Sequence, residues 1–235
     1  MLNTHSPVML NEVESYIPLN KKINVIDATF GGGGYSKKIL EKFQVNKLIA
    51  IDRDSIANIF AKELNKKYSN FTFLQGCFGN IDELIFDNFN KKIKFDAIIF
   101  DLGLSSNQLN TKERGFSFLN EGPLDMRMGQ NEINASEIVN NYTEEKIANI
   151  IYKYGEEKLS RRIAKNIIAA RKTKVIKNTK ELVDIIKKSF PISKINKSKS
   201  HIATKTFQAL RIFVNNELNE ISLALNKSIN LLAPN

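Results

Sequence analysis

Apolar and polar positions fall into alternating blocks along the first hundred residues. Four short apolar runs, "INVIDATF" (23–30), "KLIAIDRD" (47–54), "FTFLQG" (71–76) and "FDAIIFDLG" (95–103), are rich in β-formers. They are nearly continuous, the pattern of strands covered on both faces. The segments between them, 36–43, 55–68 and 80–89, carry apolar residues at helical spacing. Ser36 and Ser55 stand where helix caps are expected, and Asp54 reads as a cap residue as well. Strands alternating with helices predict βαβ units and a parallel sheet, an α/β fold.

After Asp101 the periodicity stops. Residues 102–129, "LGLSSNQLNTKERGFSFLNEGPLDMRMG", are rich in Gly, Ser and Asn and predict a long loop, a place where function concentrates. From Ala135 to about Phe190 only helical patterns occur, one starting at a Thr143 cap and stopping at Gly155. A basic loop (191–205) and a long amphipathic region of one or two helices (206–233) complete the chain. The expected organisation is a cofactor-binding core over 1–110, a loop plus basic helical insert over 111–205, and a returning helix over 206–235. A parallel α/β sheet is expected to place a strand after that helix.

Composition narrows the possibilities. The 235 residues contain one cysteine, Cys77, so no internal disulfide forms and a cytoplasmic setting is expected. One Cys and two His, His5 and His201, leave little for a metal site, and none is expected. No long apolar run or signal-peptide pattern occurs, so no membrane association is expected. The net charge of +10 is unevenly spread: residues 153–211 hold 17 basic and 4 acidic side chains. That asymmetry points to a phosphate-bearing partner, with solvated lysine-rich helix faces as the alternative.

The chemistry-bearing stretches follow the strands. "GGGG" (31–34) comes directly after the first run and opens a helix, the arrangement that lets a backbone approach a nucleotide. It matches neither the dehydrogenase glycine fingerprint nor a P-loop, and a plain strand–helix turn is the competing reading. Asp52 ends the second run, where a carboxylate accepts ribose hydroxyls. Phe78 follows the third run and is placed either to stack on a base or to pack in the core. Asp101 ends the fourth run, and carboxyl ends of parallel strands share one crevice, where its carboxylate needs an amine partner. Ser105 and Ser106 follow it and are candidate catalytic residues beside Asp101, with turn capping as the alternative. Arg114 and Arg127 flank the long loop and either bind phosphate or form structural ion pairs; Lys194, Lys197 and Lys199 are candidate RNA contacts in the basic loop. The dispersed histidines and the absence of a G-x-S-x-G elbow give no support to a hydrolase triad.

The runs "HSPVML", "DATFGGGGYS", "AIDRD", "DLGLSSNQL", "RGFSF", "GPLDMRM", "YGEEKLSRRIAKNI" and "ATKTFQALRIFVNNEL" together resemble the bacterial MraW/RsmH family. These are S-adenosylmethionine-dependent 16S ribosomal RNA cytosine-N4 methyltransferases. The resemblance extends from His5 to the end of the chain. It implies a Rossmann-like class I methyltransferase core with an inserted all-α domain. It also implies methylation of a decoding-centre cytidine within the small ribosomal subunit. Carried over by position, it implies cofactor contacts at Gly33, Gly34, Tyr35, Asp52, Phe78, Asp101 and Gln108. Tyr35 stands where the family usually has His, and Gly32 where it has Arg. The family continues past "LLAP" with a Gly-Gly turn and a strand ending Ile-Ser-Phe-His-Ser, so a C-terminally truncated chain is expected. An inactive RNA-binding remnant and another nucleotide-dependent Rossmann enzyme are the alternative functions.

Overall fold

The structure, a computed structural model, describes residues 7–89, 93–197 and 201–234, without the side chains of residues 194, 196 and 197. The chain divides into two compact units: Met1–Ser106 with Leu218–Asn235, and Asn107–Glu217. The boundary expected at 205/206 falls inside a helix of the second unit, described below.

The first unit opens with α1 (Leu10–Ser15) and alternates β1 (Ile23–Asp27), α2 (Gly34–Lys42), β2 (Val45–Asp52), α3 (Ala57–Lys67), β3 (Phe71–Gln75), α4 (Ile81–Phe89) and β4 (Ala97–Ile99). The sheet is parallel, in the order β3-β2-β1-β4, with Ile26 opposite both Ile49 and Ile98. Neighbouring strand residues feed opposite faces. Val25, Leu48 and Ala50 pack with Ile39 and Leu64, whereas Ile26, Ile49 and Ile51 pack with Ile81 and Ile85. This double burial is why the runs read as continuous.

Two expected caps are corrected. Ser36 does not cap α2, which begins at Gly34 behind a left-handed Gly33 (φ 79°); Ser36 is instead buried in the first turn, its hydroxyl donating to Asp27 Oδ2 at 2.6 Å. Ser55 gives only its carbonyl, to the Asn58 amide; Asp54 shapes the entry to α3 through the amides of Ile56 (3.2 Å) and Ala57 (3.1 Å). The fourth strand is also shorter than the apolar run, because only Ala97, Ile98 and Ile99 pair with β1.

The second unit begins within α5 (Ser106–Asn110) and continues through α6 (Ala135–Asn141), α7 (Glu144–Gly155), α8 (Ser160–Thr173), α9 (Thr179–Lys187), α10 (Ile192–Lys197) and α11 (Thr204–Val214). Thr143 caps α7 as expected, accepting from Lys146 N. The stop of α7 is the left-handed Glu156 (φ 50°), whereas Gly155 is glycine for contact: a Cβ there would lie 2.3 Å from the Lys205 carbonyl oxygen. The expected basic loop holds α10, and the expected helical region 206–233 is two helices, broken at Asn215 and left-handed Asn216.

The second of these, α12 (Glu217–Leu231), leads back into the first unit. Beyond it Leu232 bridges Phe95 in parallel; Phe95 N donates to Leu231 O and Ala233 N to Phe95 O, each at 2.9 Å. The first contact of the strand expected after this helix is therefore present, beside β4. No helix among the described residues is long and apolar enough to cross a membrane, and no cluster of metal-ligating side chains occurs among them.

Candidate functional site

At the carboxyl edge of the first unit's sheet, hydrogen bonds tie the strand ends together. Asp27, the last residue of β1, is fully buried. Its carboxylate accepts from the Ser36 hydroxyl and from the Thr29 amide (3.3 Å). Burial pushes its pKa up to about 6, against the opposing pull of those hydrogen bonds. Thr29 in turn accepts from the Asp101 amide through Oγ1 at 2.7 Å, joining β1 to the segment after β4.

Asp52 holds the glycine turn. Its Oδ2 accepts from Gly31 N at 2.7 Å and its Oδ1 from Asp54 N at 2.8 Å. Burial raises its pKa, opposed by these two amides. A carboxylate has about four acceptor sites, so two remain for a ligand's hydroxyls. Gly31 and Gly33 are the two left-handed residues of the run. A Cβ on Gly33 would sit 2.9 Å from the Phe30 ring, and Gly31 lies against Ser105, 3.8 Å from its Cβ. The four glycines thus divide: two bend the turn, and Gly34 starts α2. The amides of Gly34 and Tyr35 have no acceptor among the described residues, so they offer the donor end of a helix.

The other expected site residues stand as follows. Asp101 is exposed rather than buried, so its carboxylate needs no internal partner and faces solvent with Leu102 and Gly103. Ser105 abuts the glycine turn, and Ser106 begins α5. The Tyr35 ring is buried in the core and its hydroxyl donates to the Val8 carbonyl, so only its backbone faces the turn. Burial raises the Tyr35 pKa, assisted by the charges of Asp101 and Asp27. Phe78 packs edge-on against Phe100, with ring centroids 5.8 Å apart, the core reading of the two. Asp27 and Thr29 were missed; the only signal is the "DAT" that joins the first apolar run to the glycines.

In the second unit, Gln108 is buried in α5. Arg127 makes a two-pronged pair with Asp125 (2.7 and 2.9 Å) and donates to Asn131 O at 3.2 Å. That pair holds the Asp125 carboxyl below its usual range. Arg114 donates to Arg127 O at 2.7 Å and lies over the Phe116 ring. Both arginines therefore brace the loop, the structural of their two readings. Lys199 lies outside the described residues, as do the side chains of Lys194 and Lys197.

The arrangement can hold a nucleoside-type cofactor. Bare backbone amides at Gly34 and Tyr35 and spare acceptors on Asp52 face one edge with the exposed Asp101 carboxylate. A match to solved structures is weak: spermidine synthase from Thermotoga maritima aligns at 15% identity and a TM-score of 0.26, over 92% of this chain and 71% of that one, which carries no argument. Sequence relatives are much nearer. The ribosomal RNA small subunit methyltransferase H of Mesoplasma florum is 44% identical over 99% of this chain and 75% of its own length. That of Caldicellulosiruptor saccharolyticus is 46% identical over 97% and 73%, and that of Orientia tsutsugamushi 44% over 100% and 74%. The MraW methylase family model matches residues 3–235, and the chain belongs to that family.

Proposed function

We propose that this chain methylates the exocyclic N4 amine of a cytidine in the decoding centre of 16S ribosomal RNA, within the small subunit and in the cytoplasm. Methylases of this family use S-adenosylmethionine, which when bound supplies an electrophilic sulfonium methyl. The observation that carries the reading is the shared edge on which Asp52 ties the glycine turn (2.7 Å) while Asp101, anchored through Thr29 (2.7 Å), keeps its carboxylate exposed.

In this reading Asp52 accepts the ribose hydroxyls through its spare lone pairs, and the amides of Gly34 and Tyr35 donate to the cofactor. The N4 amine is a poor nucleophile because its lone pair is delocalised into the ring. Asp101 accepts a hydrogen bond from it, favouring the pyramidal form, and fixes it for in-line attack. Ser105 and Ser106 shape the segment that presents the base, which leaves its stack to reach the edge.

The test is methyl transfer from tritiated S-adenosylmethionine to small subunits from a strain lacking the modification, with nucleoside mass spectrometry of the product. N4-methylcytidine is expected; a methyl group on another atom, or none, overturns the reading. Asp101→Asn should lower kcat at least a hundredfold with cofactor affinity within threefold of wild type. Asp52→Ala should weaken cofactor binding by tenfold or more, the loss of hydrogen bonds to a charged group.

A further inference from the structure

In the second unit most basic side chains whose contacts are described are already spoken for. Arg127 pairs with Asp125, Lys174 with Glu181 and Arg211 with Glu217. Lys205 donates to the Glu156 carbonyl and Arg171 to the Val139 carbonyl. One helix differs. α8 has the sequence SRRIAKNIIAARKT, with five basic residues and no acidic one. Its buried side is Ser160, Ile163, Ala164 and Ile167. The opposite side exposes Arg161, Arg162, Lys165 and Lys172, and exposed Lys158 precedes it.

No carboxylate among the described residues pairs with these five. Glu157, just before the helix, is buried and accepts from the Leu159 amide. The arrangement opposes the stability of the helix itself. Arg161 and Arg162 occupy the first turn, where the helix dipole is positive and disfavours cations. Arg161 and Lys165 are four apart, and Arg162 and Lys165 three apart, so each pair repels. Helices of the same unit lack this feature: α7 and α9 mix both signs along their length. A charge pattern that weakens its own helix is explained by a polyanion that neutralises it. Two adjacent arginines add planar forks suited to phosphate oxygens. From Arg161 to Lys172 the stripe runs about 16 Å, long enough to follow successive phosphates of one strand.

We infer that the exposed face of α8, carried by Arg161, Arg162 and Lys165 with Lys158 and Lys172 beside them, is the phosphate-tracking surface for the RNA substrate. This deepens the proposed function and rests on it for the identity of the polyanion. It shifts the main RNA contact from the Lys194–Lys199 stretch to a rigid helix.

The experiment measures binding of the full chain to a fluorescent 16S RNA fragment by anisotropy between 50 and 300 mM salt. It compares wild type, the triple variant Arg161→Gln/Arg162→Gln/Lys165→Gln, and a charge-matched control, Lys62→Gln/Lys66→Gln/Lys67→Gln on the exposed side of α3. The α8 variant should lower the slope of log K against log salt by about 2, at about 0.7 for each lost phosphate contact on single-stranded RNA. Its affinity at low salt should fall at least tenfold. Its unfolding midpoint should equal or exceed wild type, because repulsion is relieved. The control should keep the wild-type slope. An unchanged slope in the α8 variant overturns the inference, as does an equal loss in the control. Binding of wild type to phosphatidylserine vesicles as tight as to RNA, lost in the α8 variant, overturns it in favour of a membrane surface. Slope loss in the α8 variant together with no methyl transfer by wild type supports the helix assignment and sinks the methylase reading.

Discussion

A single buried carboxylate sets the geometry of the glycine turn. Asp27 has no cation beside it, only the Ser36 hydroxyl and backbone amides, and burial lifts its pKa from 3.8 to about 6. The sign follows from linkage. A carboxyl whose folded pKa is raised binds its proton more tightly in the folded state. Its favourable contribution is present below pH 3.8 and is lost as pH rises through 6. Relative to Asp27→Asn, wild type should therefore lose about 3 kcal/mol between pH 4 and pH 7, since each tenfold difference in proton affinity is worth about 1.4 kcal/mol. Urea unfolding of both proteins across that range measures it, and a constant difference overturns it. The glycine run, Asp52 and Asp101 were legible because each ends an apolar run at the carboxyl edge of a parallel sheet. Asp27 was not, because its importance comes from burial against Ser36, and burial has no linear signature. Tyr35 shows the same limit: its hydroxyl finds the Val8 carbonyl, 27 residues away in sequence.

At the scale of elements, the long loop is a clasp. Gly115 is left-handed (φ 69°), and a Cβ on it would lie 1.9 Å from the Pro123 carbonyl oxygen. Gly122 is as tight: a Cβ would lie 1.8 Å from the Lys112 carbonyl oxygen. Thr179, the first residue of α9, donates its amide to Gly122 O (2.9 Å) and accepts from Gly122 N (3.1 Å). Asn215, fully buried, then fixes the loop's far end. Its side chain accepts from Met128 N at 2.8 Å and donates to Met126 O at 2.7 Å. Gly122→Ala should cost about 3 kcal/mol, the upper range for forced overpacking, read as a shift in urea midpoint with an unchanged slope. A loss under about 1 kcal/mol, the lower end of that range, would mean that the loop yields. The sequence marks this stretch as functional through its lost periodicity. Its rigidity is invisible there, because it depends on partners such as Asn178, Thr179 and Asn215, some 55 to 90 residues further on.

At the scale of the molecule, charge and cofactor chemistry are segregated. The unit Asn107–Glu217 carries 21 basic and 12 acidic residues, so it holds +9 of the net +10. The glycine turn, Asp52 and Asp101 lie in the other unit. S-adenosylmethionine should therefore stabilise the chain through residues of the nearly neutral unit. At a hundred times its Kd the gain is about 2.7 kcal/mol, a rise of roughly 5–10 °C in unfolding midpoint for a chain of this size. Scanning calorimetry of wild type and Asp52→Ala at equal ligand concentration checks it; an equal rise in both overturns the assignment of Asp52. The α/β class was legible from the strand–helix alternation. The division was less so, because the last helical pattern spans two helices that belong to different units.

The return of α12 also dictates an order of assembly. Gly79 donates to the Glu220 carboxylate across 141 residues, and the edge of the sheet at Phe95 is met only by Leu231–Ala233. As the chain leaves the ribosome, the four sheet strands emerge first and wait while the whole helical unit is made. Throughout that interval the Phe95 edge and the Gly79 turn lack their partners. The nascent protein is thus held short of completion until its final helix is synthesised, and a ribosomal pause in that window would leave an open sheet edge exposed to pairing with other chains.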